Sequence, residues 1–174
     1  MLKTLAVSGY RSLRQLVVPL ESLNLVTGPN GSGKSNLYRA LRLLAETAQG
    51  RVITSLAREG GLLSTLWAGP ETISRAMQRG EQPVQGAVRK NPISLRLGFA
   101  AEDFSYAIDL GLPKPPAGAF SNDPEIKGEC IWTGAFRPSA ILVDRRGPVV
   151  KTRGGEDGWT ILTHGLASFD TMMG

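Results

Sequence analysis

The sequence predicts an α/β fold in two parts: a lobe of short strands and a helix over residues 1–90, then an antiparallel β-meander over residues 91–174. Three observations carry that prediction. An apolar run ends in a glycine-rich string at residues 28–35, and apolar residues then recur at helical spacing. Apolar and polar residues alternate over 93–99 and again over 104–110, the pattern of paired strands. Four further apolar runs follow, separated by segments containing glycine and proline.

Taken in order, residues 2–7 and 16–20 are expected strands, joined by a turn or tight loop within GYRSLRQ. A third strand is expected at 23–27, entering the glycine-rich string directly. The helix is expected from Lys34 to about Ala48, because Leu37, Leu41, Leu44 and Ala48 recur at helical spacing, with Arg39, Arg42 and Glu46 elsewhere. Gln49-Gly50 ends it. Short helices are expected over 53–58 and 72–79, with Gly60-Gly61 as a break between them. The alternating segments form a hairpin around AAED, and GLPKPPAGAFSND is a loop. Beyond it, residues 126–133, 140–143, 149–153 and 159–162 read as strands, with turns at 145–148 and 154–158. That places Asp144 at a turn and Arg145-Arg146 inside it.

No apolar run approaches the roughly 20 residues needed to cross a bilayer, so no membrane association is expected. Lys3, Ser8 and Arg11 interrupt any signal-peptide core, which makes the cytoplasm the expected compartment. The single cysteine, Cys130, has no partner for a disulfide or a metal site and reads as a small strand residue. The single histidine, His164, reads as a loop or strand-end residue and leaves little scope for histidine-based chemistry. The net charge is +5, but the basic residues are scattered along the chain and read as a solvated surface before a nucleic-acid patch.

The chemistry lies in Gly28-Pro29-Asn30-Gly31-Ser32-Gly33-Lys34-Ser35, which satisfies G-x-x-x-x-G-K-[ST] at every position. Gly28, Gly31 and Gly33 let the backbone turn sharply and bring its amides close to phosphate oxygens. The helix that follows adds its unpaired N-terminal amides and the positive end of its dipole. Lys34 is the expected neutraliser of the β- and γ-phosphates and the candidate catalytic residue, and the Ser35 hydroxyl is the expected Mg²⁺ ligand. The expected ligand is a nucleoside triphosphate, ATP, with Mg²⁺.

GPNGSGKSN, followed by Leu37-Tyr38-Arg39-Ala40-Leu41, resembles the ABC-type ATPases of the RecF, SMC and OLD group. Gly9-Tyr10-Arg11-Ser12-Leu13 looks like the aromatic-Arg-Ser element of those proteins, and the stretch from Asp123 to Gly147 looks like bacterial AAA-type ATPases of the same superfamily. The resemblance implies the N-terminal lobe of a P-loop NTPase head. In such proteins ATP is held between two heads, so the full-length protein is expected to be a homodimer, with DNA a candidate partner. It also implies that Arg11 and Ser12 lie near the nucleotide and that Asn36 helps fix the loop or the metal shell. Arg58 stands roughly where some relatives place a nucleotide- or DNA-sensing arginine, although a solvated helix arginine is the simpler reading.

Hydrolysis in that superfamily also needs a Walker B strand ending in Asp-Glu and a Ser-Gly-Gly signature. Ala140-Ile141-Leu142-Val143-Asp144 approaches the first but continues with Arg145, and Tyr106-Ala107-Ile108-Asp109 lies inside an alternating strand. Arg153-Gly154-Gly155 lacks the serine of the second. The sequence is therefore expected to be the N-terminal part of a longer ATPase, or a natural half completed by a partner chain, that hydrolyses little alone. A rival from another class is a non-hydrolysing, nucleotide-gated interaction module, which the missing Walker B pair favours for the chain alone; a P-loop kinase fits less, because its strands and helices would alternate throughout.

Overall fold

Two hairpin-forming segments open the chain, β1 (Leu2–Tyr10) and β2 (Leu13–Pro19), turning through Arg11-Ser12. The computed structural model describes residues 1–70, 74–82, 94–114, 121–154 and 158–173. Four helices follow: α1 (Lys34–Thr47), α2 (Val52–Arg58), α3 (Leu62–Thr65) and α4 (Arg75–Gln78). The rest is a meander of β3 (Leu95–Ala101), β4 (Ser105–Gly111), β5 (Glu125–Trp132), β6 (Ile141–Arg146), β7 (Val149–Gly154) and β8 (Gly158–Thr163). A 3-10 turn, Pro138–Ala140, leads into β6.

Among the described residues, eight strands form one antiparallel sheet in the order β2-β1-β3-β4-β5-β6-β7-β8. The meander expected from the alternation is present, with Leu97 opposite Ile108 and Phe99 opposite Tyr106. The sheet also runs across residue 90, because β1 pairs with β3 and sets Leu5 against Phe99 and Val7 against Leu97. One joined sheet thus spans both expected parts of the chain. No parallel strand pair occurs among the described residues, so the α/β character resides in helices laid on an antiparallel sheet.

Period-two alternation decides which face is covered. Leu5, Val7, Leu95, Leu97, Tyr106, Ile108 and Leu110 are buried together with Leu43 and Leu44 of α1 and Leu56 of α2. A fully buried leucine contributes about 1.5–3 kcal/mol relative to an exposed one, so this layer fixes α1 against β1 and β3.

Three expectations are corrected. Residues 23–27 form no strand: they join no ladder of the sheet, and Leu23 and Leu25 are 89% and 88% exposed. An apolar run becomes a strand only where a neighbour satisfies its backbone, and none of the described strands lies beside it. α1 spans the expected residues, Lys34–Thr47 with Ala48 as its cap, but its buried side is Ala40, Leu43, Leu44 and Thr47, with Leu37 partly buried against the same core. Leu41 is 36% exposed instead. The face that meets the sheet is rotated from the one read by leucine spacing.

The third correction concerns Asp144, Arg145 and Arg146, which lie in β6 and not in a turn. The turn is confined to Gly147-Pro148, where Gly147 takes φ 56. Arg145 is fully buried and sits directly opposite Glu129 of β5, Nη1 to Oε2 at 2.7 Å. Its Nε donates to Gly147 O, its Nη2 to Ala167 O (each 2.7 Å), and its Nη1 also donates to Asp170 O. Glu129 accepts in turn from the Tyr106 hydroxyl and from Met172 N at 3.1 Å. The tail is thereby held to the sheet, and Thr171 Oγ1 continues to Thr47 O, at the end of α1, at 3.1 Å. Thr72, Ile73, Ile93 and the residue 155–157 part of the last turn lie outside the described residues.

Candidate functional site

The glycine-rich string forms a turn at the N-terminus of α1, exposed over residues 28–32. Gly28, Gly31 and Gly33 have φ of 153°, 82° and 98°, the last two in the left-handed region that favours glycine. Ser32 N donates to Pro29 O at 3.3 Å, and the helix begins with Asn36 N and Leu37 N donating to Gly33 O. Among the described residues, the amides of Asn30, Gly31, Gly33, Lys34 and Ser35 have no backbone acceptor. Such a run of unpaired amides at a helix start is a ready anion cradle.

Lys34 folds back over this cradle. Its Nζ donates to Gly28 O at 2.5 Å and to Pro29 O at 2.8 Å, spanning the loop from its last residues to its first. An ammonium held by carbonyls at the mouth of the loop is placed to exchange them for phosphate oxygens. Ser35 is exposed on the first turn of α1, with its hydroxyl available to a cation. The string expected to bind phosphate therefore forms a tight turn that brings unpaired amides and the Lys34 ammonium together, with Ser35 exposed beside them.

The β1–β2 turn abuts the loop. Ser12 Oγ accepts from Asn36 Nδ2 at 2.8 Å, and a Cβ built on Gly33 would lie 2.8 Å from the same oxygen. Ser12 and Asn36, which the sequence linked only through resemblance, thus share a contact.

Arg11 takes φ 48, the only positive value among the described non-glycine residues. Its backbone amide donates to Thr65 O at 2.7 Å, and its guanidinium meets Glu59 Oε2 at 2.7 Å. Tyr10 Oη donates to the same carboxylate oxygen at 2.7 Å. Burial pushes the Glu59 carboxyl up, but the hydrogen bonds from Arg11 and Tyr10 outweigh it and hold the group below its ordinary value. Burial, reinforced by Glu59, pushes the Tyr10 phenol up to about 12. The Arg11 guanidinium therefore points to Glu59, and Arg58, exposed at the end of α2, stands on the same side of the helices.

The Walker B candidates are elsewhere. Asp144 pairs with Arg146 at 3.4 Å in β6, and Asp109 pairs with Arg96 at 3.0 Å across β3 and β4. Among the described residues, neither makes a hydrogen bond or ion pair with the loop. No group of three or more His, Cys, Asp or Glu suited to a metal ion occurs among the described residues. Cys130 lies in β5 as expected, its thiol pushed up to about 11 by burial and by Asp144. His164 is exposed just after β8. No described helix is long and apolar enough to cross a membrane.

A family model described as "AAA domain, putative AbiEii toxin, Type IV TA system" matches residues 23–127, more than half of the chain and inclusive of the loop. The chain is also 43% identical over 44 residues to the OLD nuclease of Thermus scotoductus, a match covering 25% of this chain and 8% of that protein.

Proposed function

The chain belongs to this AAA-domain family, and from that premise we propose that it is the ATP-binding N-terminal part of a RecF/SMC-like ATPase head. Membership supports a nucleotide-binding, ATPase-like role in general. The observation that carries the finer reading is the loop at 28–35, with its unpaired amides and with Lys34 poised over the loop's own carbonyls. ATP would lie with its phosphates in that cradle, Lys34 neutralising the β- and γ-phosphates and Ser35 holding Mg²⁺. Fixed donors of this kind stabilise charge on a transferred phosphoryl group without reorganising.

ATP binding would draw two heads together and hydrolysis would release them, in DNA repair or in phage defence. The exposed apolar segment 23–27 supports completion of the lobe by further polypeptide, either a C-terminal half or a partner chain. The test is a titration with a fluorescent ATP analogue and Mg²⁺. Lys34→Ala should weaken binding at least tenfold, and unchanged affinity would sink the assignment.

A second reading, a nucleotide-binding interaction module that does not hydrolyse, is favoured by one observation. The two candidate Walker B aspartates are each committed to an arginine away from the loop. Phosphate release decides between the readings: turnover above that of the Lys34→Ala protein excludes the module.

A further inference from the structure

Four arginines from three elements of the chain meet at one cleft between α1 and α2. Arg39 and Arg42 stand three residues apart on the solvent side of α1, Arg58 ends α2 one turn after Ser55, and Arg11 reaches in from the β1–β2 turn. With Glu46 and Glu59 they line a cavity of about 310 Å³.

Both carboxylates of that cavity already have partners. Glu59 is held by Arg11 and Tyr10, and Glu46 by Arg51 at 2.7 Å. Among the described residues, the side chains of Arg39, Arg42 and Arg58 make no hydrogen bond or ion pair. The hydrogen bond from Arg51 holds the Glu46 carboxyl below its ordinary value, and the charges of Arg42 and Arg58 add to that effect. The three exposed guanidiniums feel the charges of Glu46 and Glu59 but form no direct pair with either, so their donors face the concavity's solvent and an entering anion would relieve their mutual repulsion. Their planar forks match tetrahedral phosphate oxygens, and together they present more donors than the two oxygens of a single carboxylate accommodate. The Ser55 hydroxyl adds a further donor at the cavity wall.

We propose that this cleft is a second phosphate-binding site, distinct from the loop at 28–35, that takes phosphate carried by a nucleic-acid strand or by a soluble polyphosphate. It lies on the flank of α1 and the loop at its end: Arg39 follows Lys34 by five residues, roughly 7.5 Å along the helix axis. Arg11 joins the two sites, since its side chain lines the cleft and its neighbour Ser12 touches the loop helix through Asn36.

The test uses the full chain with two probes: a fluorescein-labelled single-stranded oligonucleotide followed by anisotropy over a range of KCl, and tripolyphosphate followed by calorimetry in a Lys34→Ala background. Arg39→Gln/Arg42→Gln and Arg58→Gln alter exposed side chains, and circular dichroism checks that the fold is kept. The double variant should weaken oligonucleotide binding at least tenfold and make its salt dependence shallower by about 1.4, at roughly 0.7 per lost single-strand phosphate contact. Lys34→Ala should leave that binding within twofold. If the oligonucleotide is indifferent to the arginines while tripolyphosphate binding is lost with them, the site stands and its ligand is a soluble polyphosphate. If neither probe responds to the arginine variants, the proposal is overturned.

Discussion

Asn36 Nδ2 donates to Ser12 Oγ across 2.8 Å and so ties the first turn of α1 to the β1–β2 turn. The two residues are 24 apart in the chain, and the contact gives the loop between them a fixed wall. If the contact steadies the cradle, Ser12→Ala and Asn36→Leu should each weaken ATP binding by about 1 kcal/mol, roughly fivefold, the net worth of one hydrogen bond. The double variant should be no weaker than either single one. Additive losses in a double-mutant cycle on the measured affinities would show that the residues act separately.

Gly33 meets two constraints at once. Its φ of 98° suits glycine, and a Cβ there would lie 2.8 Å from Ser12 Oγ. Gly33→Ala should therefore distort the loop at a cost of at least about 1–2 kcal/mol and suppress nucleotide binding. Adding Ser12→Ala removes the close contact but not the backbone strain, so affinity should recover only in part. Full recovery would place the whole effect in the contact.

The Tyr10–Glu59–Arg11 cluster should make stability depend on pH at both ends. The Glu59 carboxyl is held below its ordinary value in the folded chain, so its contribution is complete above about pH 4.5 and lost as pH falls through the lowered value. The Tyr10 phenol is raised to about 12, so its contribution is complete below pH 10 and lost as pH rises from 10 through 12. Urea midpoints measured against pH should lose their acid slope in part in Glu59→Gln and their alkaline slope in part in Tyr10→Phe. Profiles parallel to the unsubstituted chain would contradict this.

The buried Arg145–Glu129 pair should tolerate loss of both partners better than loss of one. Glu129→Leu leaves a guanidinium buried without its counter-charge and should cost about 3–5 kcal/mol in chemical denaturation. Arg145→Met/Glu129→Leu should recover much of that loss, because neither charge is then stranded. The same double variant removes the donors that hold Ala167 O and Asp170 O, so amide exchange in the tail should quicken even as stability returns.

How much of this was legible in the sequence differs by element. The strands of the meander were, because Leu95, Leu97 and Phe99 obey a two-residue period that only a half-covered strand satisfies. The turn over residues 28–35 was as well, since three glycines at fixed spacing specify its curl locally. Residues 23–27 misled because apolarity signals burial but says nothing of whether a neighbouring strand is present. Arg145-Arg146 beside Gly147-Pro148 looked like a solvated turn. What reverses that reading is Glu129, directly opposite in the sheet and invisible to any local pattern. The arginine cleft was hidden for the same reason: residues 11, 39, 42 and 58 look scattered until α1 and α2 pack side by side.

The strand order has a consequence for how the chain assembles. From β3 to β8 every neighbour in space is also the next in sequence, so that part of the ladder can grow one hairpin at a time. Joining β1 to β3 is different, because the whole helical segment must first be looped out, and the entropy of that closure is spent before the contact is gained. The seam between β1 and β3 is therefore expected to zip last and to open first. Pulse-labelled amide exchange would show β4 and β5 protected ahead of β1; protection of β1 first would reverse that sequence of events.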